Sequence, residues 1–193
     1  SGTSFALLHT FGDIVASEQF LYVTANGGAI TSLTHDGTCT EVAYYEDQDK
    51  AICYPIFAPG GLLFGVLCDV NDPEQDEIIA LDAQTLQPRH RFGLSLLNYA
   101  CGMTVVGEEL FVCDRYNDRL QVFSLAGEHR RSITGEWKRP ARLCFVKDRL
   151  YLVEEKDDDE DEEGELLYPL RGRRIFVLSL QGDTLQVYTN PVE

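Results

Sequence analysis

Six cysteines, four histidines and a run of seven consecutive acids, Asp157 to Glu163, give this 193-residue chain its most obvious chemical reach. A catalytic zinc needs three side chains converging on one point. The strand pattern of the chain puts His9, His90 and His129 on outer fourth strands and His35 in an outer turn, where they cannot converge, and the cysteines at 39, 53, 68, 101, 113 and 144 include no CxxC pair. Neither a GxSxG elbow, an HExxH helix motif nor a glycine-rich phosphate loop is present. Asp13, Cys53, Cys101 and Arg142 make no recognised catalytic set, and Cys101, beside Gly102, is the one thiol worth testing as a nucleophile. The chain is therefore expected to be non-catalytic, with no metal and no cofactor.

Binding is better represented. The segment Gly135 to Arg142 carries the only tryptophan, Trp137, together with Lys138, Arg139 and Arg142. Tryptophan and arginine dominate interface hot spots. Arg115 and Tyr116 belong to an earlier loop that the strand pattern places near the same rim, so Arg115, Tyr116, Trp137, Arg139 and Arg142 are the candidate partner-binding residues. The competing expectation for Trp137 is packing between adjacent repeat units. The acidic run should be solvated and disordered through self-repulsion. A docking strip for a basic partner is the second reading of that run, and a calcium loop the weakest, because the spaced Asp, Asn and Gly of such loops are missing.

The elements that must position these residues are strands. Leu21-Tyr22-Val23, Leu63-Phe64-Gly65, Leu110-Phe111-Val112 and Leu150-Tyr151-Leu152 recur at spacings of 42, 47 and 40 residues, the range of repeat architectures built from small sheets. Each anchor is preceded by a strand and a tight turn: Asp13 to Ala16, Pro55 to Ala58, Met103 to Val106 and Leu143 to Val146. Each is followed by a third strand, a short turn and a fourth strand. The expected fold is all-β, a β-propeller of four-stranded antiparallel blades occupying 1–193, with blades at about 12–45, 54–92, 101–133 and 141–188. A strand over 5–11 belongs to a preceding blade or closes the ring, and the four blades are expected to be part of a larger, six-bladed ring. A β-sandwich, the rival with similar strand spacing, lacks this fixed period.

In a propeller the turns between strands one and two and between three and four share one face. These are uniformly short here. Loops 24–28, 68–76, 114–118 and 154–174 within blades, and 46–53, 93–101 and 134–142 between them, lie on the other face. Long loops on a rigid scaffold carry most binding sites, so that face is the candidate working surface.

Charge narrows the partner. A formal net charge of −16 repels phosphate and anionic membrane surfaces, so nucleic acid is an unfavoured partner and protein the favoured one. No segment approaches the roughly 20 apolar residues of a membrane-spanning helix, so no membrane insertion is expected. Cysteines too sparse for a disulfide scaffold, with Cys68, Cys101, Cys113 and Cys144 on or beside predicted inner strands and expected to be buried, read as reduced structural thiols. They point to an intracellular, cytoplasmic setting.

The stretch Cys113-Asp-Arg-Tyr-Asn-Asp-Arg-Leu-Gln-Val-Phe123 resembles the NHL repeat, an apolar strand running into Asp-x-x-Asn-x-Arg and a β-branched strand. Asp114, Asn117, Arg119, Val122 and Phe123 match it. The resemblance implies a propeller blade in which Asp114, Asn117 and Arg119 are structural. Relatives of that type include metal-dependent hydrolases and lyases, with ligands at the central channel, and RNA-binding domains. The first leaves open an enzyme whose ligands lie partly outside these residues; the second is opposed by charge.

Overall fold

The computed structural model describes residues 11–25, 29–44, 50–69, 71–155 and 174–189. The strand expected over 5–11, apart from Phe11, and the acidic run lie outside them. Four antiparallel four-stranded sheets account for the described chain. The first contains β1 (Phe11–Ala16), β2 (Phe20–Ala25), β3 (Ala29–Thr34) and β4 (Cys39–Tyr44). The second contains β5 (Lys50–Ala58), β6 (Leu62–Asp69), β7 (Glu77–Asp82) and β8 (Pro88–Phe92). The third is β9 (Ala100–Val106), β10 (Glu109–Asp114), β11 (Arg119–Ser124) and β12 (His129–Thr134), and the fourth β13 (Pro140–Val146), β14 (Arg149–Glu154), β15 (Arg174–Leu178) and β16 (Thr184–Thr189). Strands pair in sequence order within every sheet, the meander of a propeller blade. Two 3-10 turns, Pro73–Gln75 and Arg115–Asn117, sit between second and third strands.

Every sheet carries the same two irregularities. The pairing of first and second strands slips at Phe11/Ile14, Cys53/Ile56, Val112/Asp114 and Pro140/Arg142. The pairing of third and fourth strands slips at Ser32/Leu33, Ala80/Leu81, Val122/Phe123 and Val177/Leu178. Bulges sharpen the local right-handed twist, and their recurrence at matching positions makes the four sheets copies of one strained template. They also explain why the first strands begin earlier than the alternation predicts. β5 starts at Lys50 rather than Pro55 because the bulge accommodates a proline that has no N–H to give the ladder.

The chain divides into two compact units, up to Tyr99 and from Ala100. In the first unit, Tyr22 and Ile30 meet Ile52, Leu63, Leu67, Ile79 and Leu81, with the Tyr22 and Phe57 rings stacked at 6.1 Å. In the second, Leu110, Phe111, Val112, Leu120, Val122 and Phe123 of β10 and β11 are fully buried, as are Leu150, Leu152, Phe176 and Leu178 of the next sheet. Each such side chain contributes about 1.5–3 kcal/mol. Gly102 sets how closely these two sheets approach: a Cβ there would stand 2.7 Å from the Ala141 carbonyl oxygen and the Arg142 Cα.

The β7–β8 turn is fixed by one carboxylate. Asp82 Oδ1 accepts from the Gln84 and Thr85 amides at 3.0 and 2.9 Å and from the Thr85 hydroxyl at 3.0 Å, while Oδ2 accepts from Arg89. Arg89 above all, then the turn donors, hold the Asp82 carboxyl down to about 2. Its folded value lies below the roughly 3.9 of a free aspartate, so its stabilisation is present above about pH 4 and is lost as the pH falls towards 2. Asp82→Asn is expected to flatten the decline of the urea midpoint across that window. An unchanged slope would show that Asp82 does not contribute to acid sensitivity.

Candidate functional site

The two loops expected to share a rim are brought together. Asp118, at the left-handed end of the Arg115–Asn117 turn (φ 52°), accepts the Arg139 amide at Oδ1 (2.7 Å) and the Lys138 ammonium at Oδ2 (3.1 Å). A second clasp comes from β14. The fully buried Glu154 carboxylate accepts the Lys138 amide at 2.7 Å and Arg174 Nε at 2.8 Å, with Arg174 Nη2 on its Oε1. Glu155 adds a backbone tie, its amide donating to the Arg139 carbonyl at 2.9 Å, and its carboxylate pairs with Arg115.

These ties present an aromatic ring between two cations. The Arg115 and Arg139 guanidinium carbons each stand 5.5 Å from the centroid of Tyr116, within the range of cation–π attraction. Tyr116 is itself 46% exposed. Its neighbours are thus fixed by Glu155 and Asp118, so the ring meets solvent on a preset support.

Trp137 takes the other of the two roles weighed for it: it is fully buried. Its indole packs edge-on to Phe176 (5.9 Å, 72°), and Arg174 lies 4.9 Å over the Phe176 ring. Gly135 lies directly beneath the indole, where any Cβ would collide with the ring. As a contact residue Trp137 is therefore withdrawn, because an apolar ring of that size gains more from enclosure than the loop could gain by exposing it. It supports the rim from below. Arg142 also departs from the cluster pattern. It projects from β13, its Nη1 donating to the Ala141 carbonyl at 3.0 Å, and borders a cavity of about 390 Å³ with Cys144, Tyr151, Val153 and Ile175.

The Asp-x-x-Asn-x-Arg motif is a closed network. Asp114 is fully buried and accepts from Asn117 Nδ2 (3.0 and 3.1 Å), Arg119 Nε (2.6 Å) and Gln121 Nε2 (3.3 Å). Gln121 Oε1 then receives Ser132 at 2.7 Å and meets His129 Nε2 at 2.8 Å. The ladder pairs Asp114 with Arg119, joining the end of a second strand to the start of a third. Glu154 and Arg174 repeat this arrangement in the fourth sheet, and sequence reasoning missed them. An acid closing β14 and an arginine opening β15 were visible signals, but residues 155–173 separate them where only four separate Asp114 from Arg119.

The possible reactive groups are distributed otherwise. Cys101 is enclosed, its thiol donating to the Pro140 carbonyl at 3.2 Å, and its bond to Cys113 holds it below the usual thiol value. Burial pushes Cys113 up. Cys39 and Cys144 are exposed, which corrects the expectation of an inward Cys144. Asp13 spends Oδ2 on the Tyr54 amide at 3.1 Å. His90 and His129 lie on fourth strands and His35 in a turn, as the pattern placed them. Among the described residues no three metal-ligating side chains converge. No described helix is long and apolar enough to cross a membrane.

Four repeated meanders, with acid–arginine clasps in the last two, define a β-propeller, and solved structures agree. The chain is similar to a catalytically inactive virginiamycin B lyase from Staphylococcus aureus, with a TM-score of 0.71 and 14% identity over 95% of this chain and 56% of that one. It is similar to the RRP9 WD40 repeats, with a TM-score of 0.68 and 14% identity over 93% and 51%. The computationally designed Ika8 protein gives a TM-score of 0.64 and 12% identity over 92% and 48%. The chain thus spans about half the length of these structures. No sequence-family model and no curated protein matches it.

Proposed function

We propose that this is a non-catalytic β-propeller of the NHL type whose long-loop face binds an intracellular protein partner, within a larger assembly. The observation that carries the reading is Tyr116, half-exposed between Arg115 and Arg139 on two loops pinned by Asp118 and Glu154. A rigid aromatic with flanking guanidinium groups is the composition of an interface anchor. Its fixation before binding spares the loop-ordering cost that weakens flexible surfaces. The chain's net charge of −16 discourages nucleic acid.

Tyr116→Ala and Arg139→Ala should each reduce partner capture about tenfold or more, the scale of a hot spot. The thermal midpoint should stay nearly fixed for Tyr116→Ala, because exposed side chains cost within about 0.5 kcal/mol. Affinity capture compared by quantitative mass spectrometry with the unaltered chain checks this. Identical captured sets would remove the long-loop face from consideration, and an unchanged set with catalysis detected in the parent protein would favour an enzyme instead.

A further inference from the structure

The opposite face of the first unit holds a second site. The β1–β2 turn (Ser17 to Gln19), the β5–β6 turn (Pro59 to Gly61) and the β7–β8 turn (Ala83 to Thr85) surround a cavity of about 510 Å³, within the size range of ligand pockets. Its floor is aromatic. Phe20 and Tyr22 are 6.3 Å apart and tilted by 58°, and Tyr22 and Phe57 are nearly coplanar in orientation at 6.1 Å. Its rim is acidic, with the Glu18 and Asp82 carboxylates.

We propose that this cavity receives the cationic head of a lysine or arginine side chain from an extended segment of a partner protein. Charge complementarity selects that occupant. No lysine or arginine lines the cavity. Arg89 pairs with Asp82 Oδ2 and offsets its charge, and His35 lies against the Ser17 carbonyl at 3.2 Å. Glu18 has no hydrogen-bond or ion-pair partner among the described residues, so its charge is available to an incoming cation. The turn amides, the Thr85 hydroxyl and Arg89 hold Asp82 as a fixed polar edge of the cavity, and the charge that faces a ligand is that of Glu18. Aromatic faces bounded by carboxylates attract ammonium and guanidinium groups through quadrupole and charge together. An anion would meet the uncompensated Glu18 charge, and an uncharged apolar group would leave that field unused.

Two glycines line the cavity. Gly60 and Gly61 hold φ of 81° and 75°, and a Cβ on either would meet nothing within 4 Å. The wall there is bare backbone, leaving room for the stem of a long side chain, which buries its methylenes while its head meets the acids.

This site is built from the first unit alone and Tyr116 belongs to the second, so its failure leaves the long-loop reading intact. The test uses the full chain and synthetic pentapeptides of glycine carrying one central lysine, arginine or glutamate, followed by NMR. The lysine and arginine peptides are expected to shift the ring resonances of Phe20, Tyr22 and Phe57, and the lysine ε-methylene should move upfield. Glu18→Gln should weaken binding about two- to fivefold, the scale of one partly exposed ion pair. Glu41→Gln, which removes an equal charge from the exposed face of β4, should leave it unchanged, as should Tyr116→Ala. Equal loss with Glu18→Gln and Glu41→Gln would reduce the effect to the general negative field and overturn the site. Binding of the glutamate peptide, absence of ring shifts, or equally tight binding of free butylammonium would overturn the peptide-docking assignment.

Discussion

Trp137→Ala is expected to destabilise the second unit by about 3–5 kcal/mol, the cost of emptying a fully buried aromatic site. The indole lies between the Gly135 backbone and the edge of Phe176, which is in turn covered by Arg174. Its removal leaves a void beneath the loop that carries Lys138 and Arg139, and Glu154 and Asp118 would then pull on a segment without a floor. Trp137→Phe should cost much less, since the indole Nε1 makes no hydrogen bond among the described residues, so no bond is lost with it. Circular dichroism across a urea gradient, read as a midpoint shift at constant slope, measures both variants. A loss below about 1 kcal/mol for the alanine variant would mean that the loop collapses onto the site without consequence.

Glu154→Ala should cost a similar amount, about 3–5 kcal/mol, because deleting one partner of a buried pair strands the other. Arg174, its side chain only 21% exposed, would lose both contacts with Glu154, and the Lys138 amide would lose its acceptor. Arg174→Met combined with Glu154→Ala should recover part of the loss, since the stranded cation is removed with its partner. The coupling from a double-mutant cycle isolates that part. Strictly additive losses would show that the clasp is not a cooperative unit. The Glu154 variant should also weaken partner capture, whereas Arg119→Ala, acting on the neighbouring Asp114 network, should affect stability first.

The architecture was legible because its signal is repeated. Leu21, Leu63, Leu110 and Leu150 each lie on a second strand, so the spacing of apolar triplets located every blade centre. The chemistry of the short turns, with glycine at 37, 60, 61, 107, 127 and 182 in the positive-φ region, located the hairpins. The starts of the first strands were not legible. They follow left-handed residues that are not glycine, such as Tyr99 (φ 54°) and Arg139 (φ 43°), and in β5 contain Tyr54 (φ 52°). Sterics disfavour that conformation for such side chains, and only the surrounding bulge and hydrogen bonds impose it. Asp114, Asn117 and Arg119 could be read because they are local. Glu154 and Arg174 perform the corresponding task across a long separation, where spacing carries no signal. The fate of Trp137 was undecided in the sequence because a tryptophan beside arginines has the same composition whether it supports a loop or faces a partner.

The clasp between Glu154 and Arg174 makes the end of the fourth sheet a natural graft point. The two strands are joined by their own ladder, from Leu150–Leu178 to Val153–Ile175, and by a carboxylate–guanidinium bond at its end. Closure of the hairpin is thereby assigned to residues on either side of 156–173 rather than within them. Doubling the length of a connection costs only about 0.6 kcal/mol in closure entropy, a small charge against a buried ion pair and four paired residues. Peptide sequence exchanged at this point leaves the register of β14 and β15 in place.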